Sequence, residues 1–243
     1  MPLVQAFTSQ AAFDIRFEWG AAGMATVVQP SEAAIIVDVL SFSTCVDVAC
    51  SRGARVWPYP FRDASALDFA DQHQAILAGS RSDAAAAYSL SPVSLSQIPS
   101  GAALVLPSPN GATLSYACTA SHVYAACLRN ASAVARHANQ SSQVINVIAA
   151  GEKWPDGTLR PALEDLLGAG AVIHALAGRK SPEAQMAEAA FVAMQSQLAQ
   201  MVAHCASGVE LGERGYEDDV AMACEYNISE AVPKLVDECF MAL

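Results

Sequence analysis

Short apolar runs recur along this chain, each closed by Gly, Pro, Ser or Asn and followed by residues with helical spacing. Such alternation predicts βα units, in which parallel strands are covered by helices. Residues 33–39 form the strongest predicted strand, an apolar run interrupted only by Asp38. Further strands are predicted at 53–58, 75–78, 101–106, 122–126 and 143–149. Residues 13–19 alternate between apolar and polar, which predicts an edge strand with one solvated face. Short helices suit 64–71, 112–118 and 131–139, and a longer buried helix suits 161–176. Ser181-Pro182-Glu183 combines an N-cap, a proline at the first helical position and an early carboxylate, so a helix is expected from there to about residue 205. The run Gly168-Ala169-Gly170-Ala171 implies a second backbone packed closely against that part of the chain. Residues 84–100 read as a surface loop and a candidate lid. The predicted fold is a three-layer α/β/α arrangement around a largely parallel or mixed sheet, which two similar lobes would also satisfy. No linker or repeat divides residues 1–243, so one domain is expected.

Composition narrows the function classes. A hydrophobic content of 53% with 15% charged residues describes a packed protein rather than a disordered one. Thirteen Lys and Arg against 24 Asp and Glu give a formal charge of −11, which repels a phosphate backbone at long range and argues against a nucleic-acid partner. No run approaches the roughly 20 apolar residues that span a bilayer. The first five residues lack the basic start and apolar run of a secretory signal, so a cytoplasmic protein is expected. The seven cysteines form no C-x-x-C pair and read as reduced, buried, small hydrophobes. An Ala-rich, charge-poor chain also leaves apolar helix surface for self-association, and a homodimer is the expected form.

Ligands of open α/β sheets bind beyond the carboxyl ends of the strands, and that rule selects the candidate residues. Asp38 ends a strand that otherwise reads as fully buried, where a carboxylate either holds a cation or caps the next turn. Ser43 and Thr44 enter a helix start, where free N–H groups suit a phosphate or an ordinary cap. Ser108, Asn110 and Gly111 occupy a proline-stiffened turn, either aimed at a ligand or simply connecting. Arg129 and Asn130 follow the next strand, with Asn130 a natural cap and Arg129 either an anion fork or a solvated side chain. Glu164 and Asp165 are adjacent, so on a helix they point about 100° apart and one of them at most faces a given site. No zinc spacing, nucleophile elbow, Walker loop or dinucleotide fingerprint is present.

Taken in order, Val37-Asp38-Val39-Leu40, Ser108-Pro109-Asn110-Gly111, Asn130 to Ala135, Ala150-Gly151, Leu163 to Gly170 and Asp219-Val220 resemble the 2-phosphosulfolactate phosphatase family over roughly residues 30–235. The resemblance implies a magnesium-dependent phosphomonoesterase that releases phosphate from 2-phospho-3-sulfolactate, on the route to coenzyme M. It implies Mg²⁺ on Asp38 and Glu164, with Asp165 as the alternative, and phosphate contacts from Arg81 and Arg129 beside the hydroxyl and turn residues above. Either water or a carboxylate would attack phosphorus. Four positions depart from the family pattern: Ser41 and Val209 stand where it has Arg, Ser80 where it has Glu, and Leu90 where it has Asn. Poor activity on the trianionic 2-phosphosulfolactate is therefore expected. A silent binding protein for a small phosphorylated or sulfonated acid is the alternative.

Overall fold

The computed structural model describes residues 7–83 and 85–243. Residues 1–6, on which the reading of no leader rested, and Ala84, which opens the expected loop, lie outside the described residues.

The first half of the chain alternates β1 (Ile15–Trp19), α1 (Gly20–Val27), β2 (Ala33–Val37), α2 (Phe42–Ser51), β3 (Arg55–Tyr59), α3 (Ala64–Gln72), β4 (Ile76–Leu77) and α4 (Pro92–Leu95). It continues through β5 (Ala103–Pro107), α5 (Gly111–Ala117), β6 (His122–Ala126), α6 (Ala131–Ser141) and β7 (Ile145–Ala149). A small hairpin, β8 (Glu152–Lys153) and β9 (Leu159–Arg160), leads to α7 (Leu163–Ala175), α8 (Pro182–Met194), α9 (Leu198–His204), α10 (Ala206–Glu213) and α11 (Glu217–Ala223). The last elements are β10 (Pro233–Val236) and β11 (Cys239–Ala242).

Among the described residues one sheet has nine strands, in the order β1-β7-β2-β6-β10-β11-β3-β5-β4. It contains two parallel blocks, β1-β7-β2-β6 and β3-β5-β4. The β10–β11 hairpin joins them, antiparallel to β6 on one side and to β3 on the other. The sheet is therefore mixed, covered by helices on both faces as expected. β2 shows why its sequence is apolar throughout: Ala33, Ile35 and Val37 pack under α6, α7 and α8, while Ala34 and Ile36 pack under α1, α2 and α5.

Three expectations need correction. β1 is an edge strand, but its polar face is not solvated: Arg16 is 6% exposed and pairs at 3.2 Å with Glu32, so the alternation recorded a buried ion pair. The outer edge of β1 is covered as well, because the Gln10 amide donates to Phe17 O and accepts from Phe17 N. That occupies backbone groups on which another strand would otherwise pair. The segment expected as a surface loop contains α4, capped by Ser91, and it buries Leu95 and Ile98 completely. The helix expected to run to about 205 ends at Met194, and a 3₁₀ turn over Gln195–Gln197 separates it from α9.

The small-residue run behaves as its composition predicts. A Cβ at Gly170 would overlap the Ala187 carbonyl oxygen of α8 and stand 2.7 Å from Phe191 Cβ. Only glycine lets α7 and α8 cross that closely, and both flank β1 and β7. Gly170→Ala is expected to destabilise the fold by about 1–3 kcal/mol through overpacking. A urea midpoint equal to that of the wild type, at unchanged slope, would show that the helices part at no cost.

Candidate functional site

A cleft of about 580 Å³ lies where the loops after β2, β3, β4, β5 and β7 meet α10. Its floor is set by Asp38, one residue past β2. The Asp38 carboxylate accepts Phe42 N at 3.1 Å through Oδ1 and Gly111 N at 2.8 Å through Oδ2, so it ties the starts of α2 and α5 together. Glycine is required at 111, since a Cβ there would stand 2.5 Å from the Phe42 ring and 2.8 Å from Asp38 Oδ2. Asp38 is 5% exposed. Burial pushes its pKa up to about 6, against the pull of those two N–H groups, and the charge of Glu164 adds to the rise.

Glu152, directly after Gly151, lines the same cleft and accepts Asn110 Nδ2 at 2.9 Å. Burial and then the charge of Asp38 push its pKa up to about 7. Glu164 lies in the first turn of α7, buried, and accepts the Cys205 thiol at 3.1 Å. Asp165, its neighbour, is turned to the backbone: Oδ1 accepts Val39 N at 2.7 Å and Oδ2 accepts Gly151 N at 2.8 Å. It stitches the ends of β2 and β7 to α7. Burial, then Asp38 and Glu164, raise its pKa well above the usual carboxylate range. Of the adjacent pair, Asp165 has both oxygens on backbone N–H groups, while Glu164 sits within electrostatic reach of Asp38 and Glu152.

Three arginines also line the cleft, together with Asp63 and Glu210. Arg81 donates from Nε to Asp219 at 2.9 Å and from Nη2 to Ser41 Oγ at 2.6 Å, and it stands 5.3 Å from the centre of the Tyr216 ring. Arg62 and Arg214 are the other two. Ser41, where the family pattern has Arg, is therefore the seat of Arg81's hydroxyl contact. Val209 is 42% exposed and outside the lining, whereas Ser207, Glu210, Leu211 and Arg214 of the same stretch face the cleft.

The structure thus gathers Asp38, Arg81, Ser108, Asn110 and the Gly111 amide at one place. Glu164 and Asp165 stand outside the lining but within electrostatic reach of Asp38, and the other candidates go elsewhere. Ser43 Oγ bridges Asp38 N and Ile36 O, Thr44 Oγ1 donates to Val39 O, and the Asn130 amide closes on Cys127 N and Ala231 O. Arg129 points along α2 to Asp47 at 2.9 Å and also meets Glu225 and Met222 O, so its donors are spent outside the cleft lining. Five charged lining groups carried no role from the sequence alone: Arg62, Asp63, Glu152, Glu210 and Arg214. Arg62 and Glu152 each lie three residues past a strand, where the strand-end rule would have found them.

Residues 24–238 match the family model described as 2-phosphosulpholactate phosphatase. A curated protein of Methanothermobacter thermautotrophicus, named 2-phosphosulfolactate phosphatase, is 33% identical over 135 residues. That match covers 55% of this chain and 56% of the relative, so the chain spans about half the length of the relative it matches. On the extent of the family match, the chain belongs to the 2-phosphosulpholactate phosphatase family.

Proposed function

We propose that this chain is a magnesium-dependent phosphatase of a small phosphorylated acid, with 2-phosphosulfolactate the substrate that the family's name indicates. The observation that carries the reading is a single cleft that brings the carboxylates of Asp38 and Glu152 together with the guanidinium groups of Arg62 and Arg81. Among the described residues no three His, Cys, Asp or Glu stand close enough to hold a metal by themselves. Mg²⁺ keeps several waters and uses one or two carboxylates plus the substrate's phosphate, so it needs no such cluster. Asp38 and Glu164 would hold it, and both supply hard oxygen donors whose mutual repulsion a cation relieves. When bound, the ion would neutralise phosphate charge and activate water.

The chain's own groups would do the rest. Arg81, fixed by Asp219 and Ser41, would orient the phosphate oxygens without paying rotamer entropy at binding. Glu152 titrates near neutrality and would move a proton to the leaving oxygen or from the attacking water. Cytoplasmic residence and a homodimer belong to the same proposal. No helix among the described residues is long and apolar enough to cross a membrane. An apolar patch of Leu166, Met186 and Ala190 beside β1, with Met186 71% exposed, supports self-association.

A panel of phosphomonoesters assayed with and without Mg²⁺ tests the reading. Phosphate release that needs Mg²⁺ and stops on chelation is the expected result. No release from any ester, together with a ligand-induced rise in melting temperature, would replace the phosphatase with a binding protein.

A further inference from the structure

The three arginines of the cleft lining are held differently. Arg81 is immobilised from three sides, and the Asp219 carboxylate that anchors it is 2% exposed and also accepts Ser91 Oγ at 2.5 Å and Val93 N at 3.3 Å. Arg62 is placed by a single bond from Nη2 to the Pro107 carbonyl at 3.1 Å. Among the described residues no carboxylate pairs with Arg62. Burial and the like charge of Arg81 together hold its pKa below the usual guanidinium range. Arg214, by contrast, is already paired with Glu210 at 3.1 Å.

Arg62 and Arg81 thus lie within electrostatic reach of each other, Arg81 with Asp219 as its ion-pair partner and Arg62 with none, while Asp63, which also lines the cleft, caps α3 by accepting Ser65 N. Arg62 has donors to spare in a planar fork that suits bidentate anion recognition. The carboxylate floor repels an anion unless a cation intervenes, so Arg62 and Arg81 are where an anion is welcome in its own right. A volume of about 580 Å³ also exceeds what a phosphate alone would fill.

We propose that Arg62, beside Arg81, is a specificity-determining residue that binds a second anionic group of the ligand, a carboxylate or sulfonate, next to the phosphate that Arg81 holds. The inference rests on the phosphatase reading for the position of the phosphate. It concerns binding, however, and can be measured without turnover.

Three esters built on one skeleton make the test: ethyl phosphate, 3-phosphooxypropionate, which adds a carboxylate, and 2-phosphooxyethanesulfonate, which adds a sulfonate. The wild type is expected to prefer at least one acid over ethyl phosphate, and which acid it prefers identifies the second group. In Arg62→Gln, kcat/KM on that acid should fall about 10- to 100-fold, chiefly through KM, as expected for loss of a charged hydrogen bond. That loss should be at least ten times larger than the loss on ethyl phosphate. Arg62→Lys, which keeps the charge without the fork, should fall between the two, and circular dichroism establishes that both variants are folded. Calorimetry with the same three esters in the absence of divalent metal gives the readout free of catalysis. If the wild type binds the acid and Arg62→Gln does not, yet nothing is hydrolysed, the phosphatase reading fails and this inference stands. Equal losses on all three esters, no loss on any, or a wild type that neither binds nor turns over the acids better than ethyl phosphate would overturn it.

Discussion

Asp38→Asn is expected to lower Mg²⁺-dependent kcat/KM by about 10³-fold, roughly 4 kcal/mol of transition-state stabilisation, while leaving the protein folded. The amide removes the negative charge that would hold the cation but keeps the volume of a side chain that is 5% exposed. One oxygen can still accept an N–H, whereas the new NH₂ faces either Phe42 N or Gly111 N and that bond is lost. Losing one such bond costs about 1–2 kcal/mol, and removing a charge that repels Glu152 and Glu164 offsets part of it. The decisive pair of measurements is a Mg²⁺ titration and a thermal melt on the same preparation. Wild-type metal affinity and activity in the variant would take Asp38 out of the site altogether.

The cation-free protein should lose stability as pH rises from 5 to 8, the reverse of a protein held together by paired carboxylates. The sign follows from the raised pKa values. Unfolded, Asp38 and Glu152 titrate near about 4, whereas folded they titrate at about 6 and about 7. Between those limits the folded state keeps protons that the unfolded state has released, so the stability these groups contribute is complete below about pH 4 and is lost as pH passes through 6 and 7. The loss amounts to about 2–4 kcal/mol, or roughly 5–10 °C in melting temperature for a chain of this size. His122, whose pKa burial lowers, works in the opposite direction as pH falls. The comparison that isolates the cleft is therefore wild type against Glu152→Gln, which should flatten the profile. Millimolar Mg²⁺ should restore stability at pH 8. A wild-type profile that rises towards pH 8 in chelator would mean that the carboxylates are already neutralised by something other than protons.

The sequence was most legible where one stretch of chain decides its own structure. The apolar run of β2 had to be buried on both faces, and a carboxylate at its end had to be special. Ser181 caps α8 as its local pattern requires, and Gly170 marks a helix crossing because no other residue fits there. Legibility failed where partners are far apart. Arg129 looked free, but its carboxylate lies 82 positions away at Asp47. The backbone partner of Asp165, Val39 N, is likewise 126 positions distant. Neighbours in sequence showed that only one of Glu164 and Asp165 faces a given direction, not which. The β10–β11 hairpin escaped notice because its turn residues, Asp237 and Glu238, adopt φ of 47° and 67° without the Asn-Gly pair that usually announces such a turn.

That hairpin also sets an order of events. Residues 233–242 fill the middle of the sheet rather than its margin, so β6 and β3 each present an unpaired edge until they arrive. On the ribosome the strands of both parallel blocks emerge before the hairpin does. The cleft, which takes Asp38 from one block and Arg62 and Ser108 from the loops of the other, depends on the two being clasped together. The keystone of the arch is thus among the last pieces of it to be synthesised.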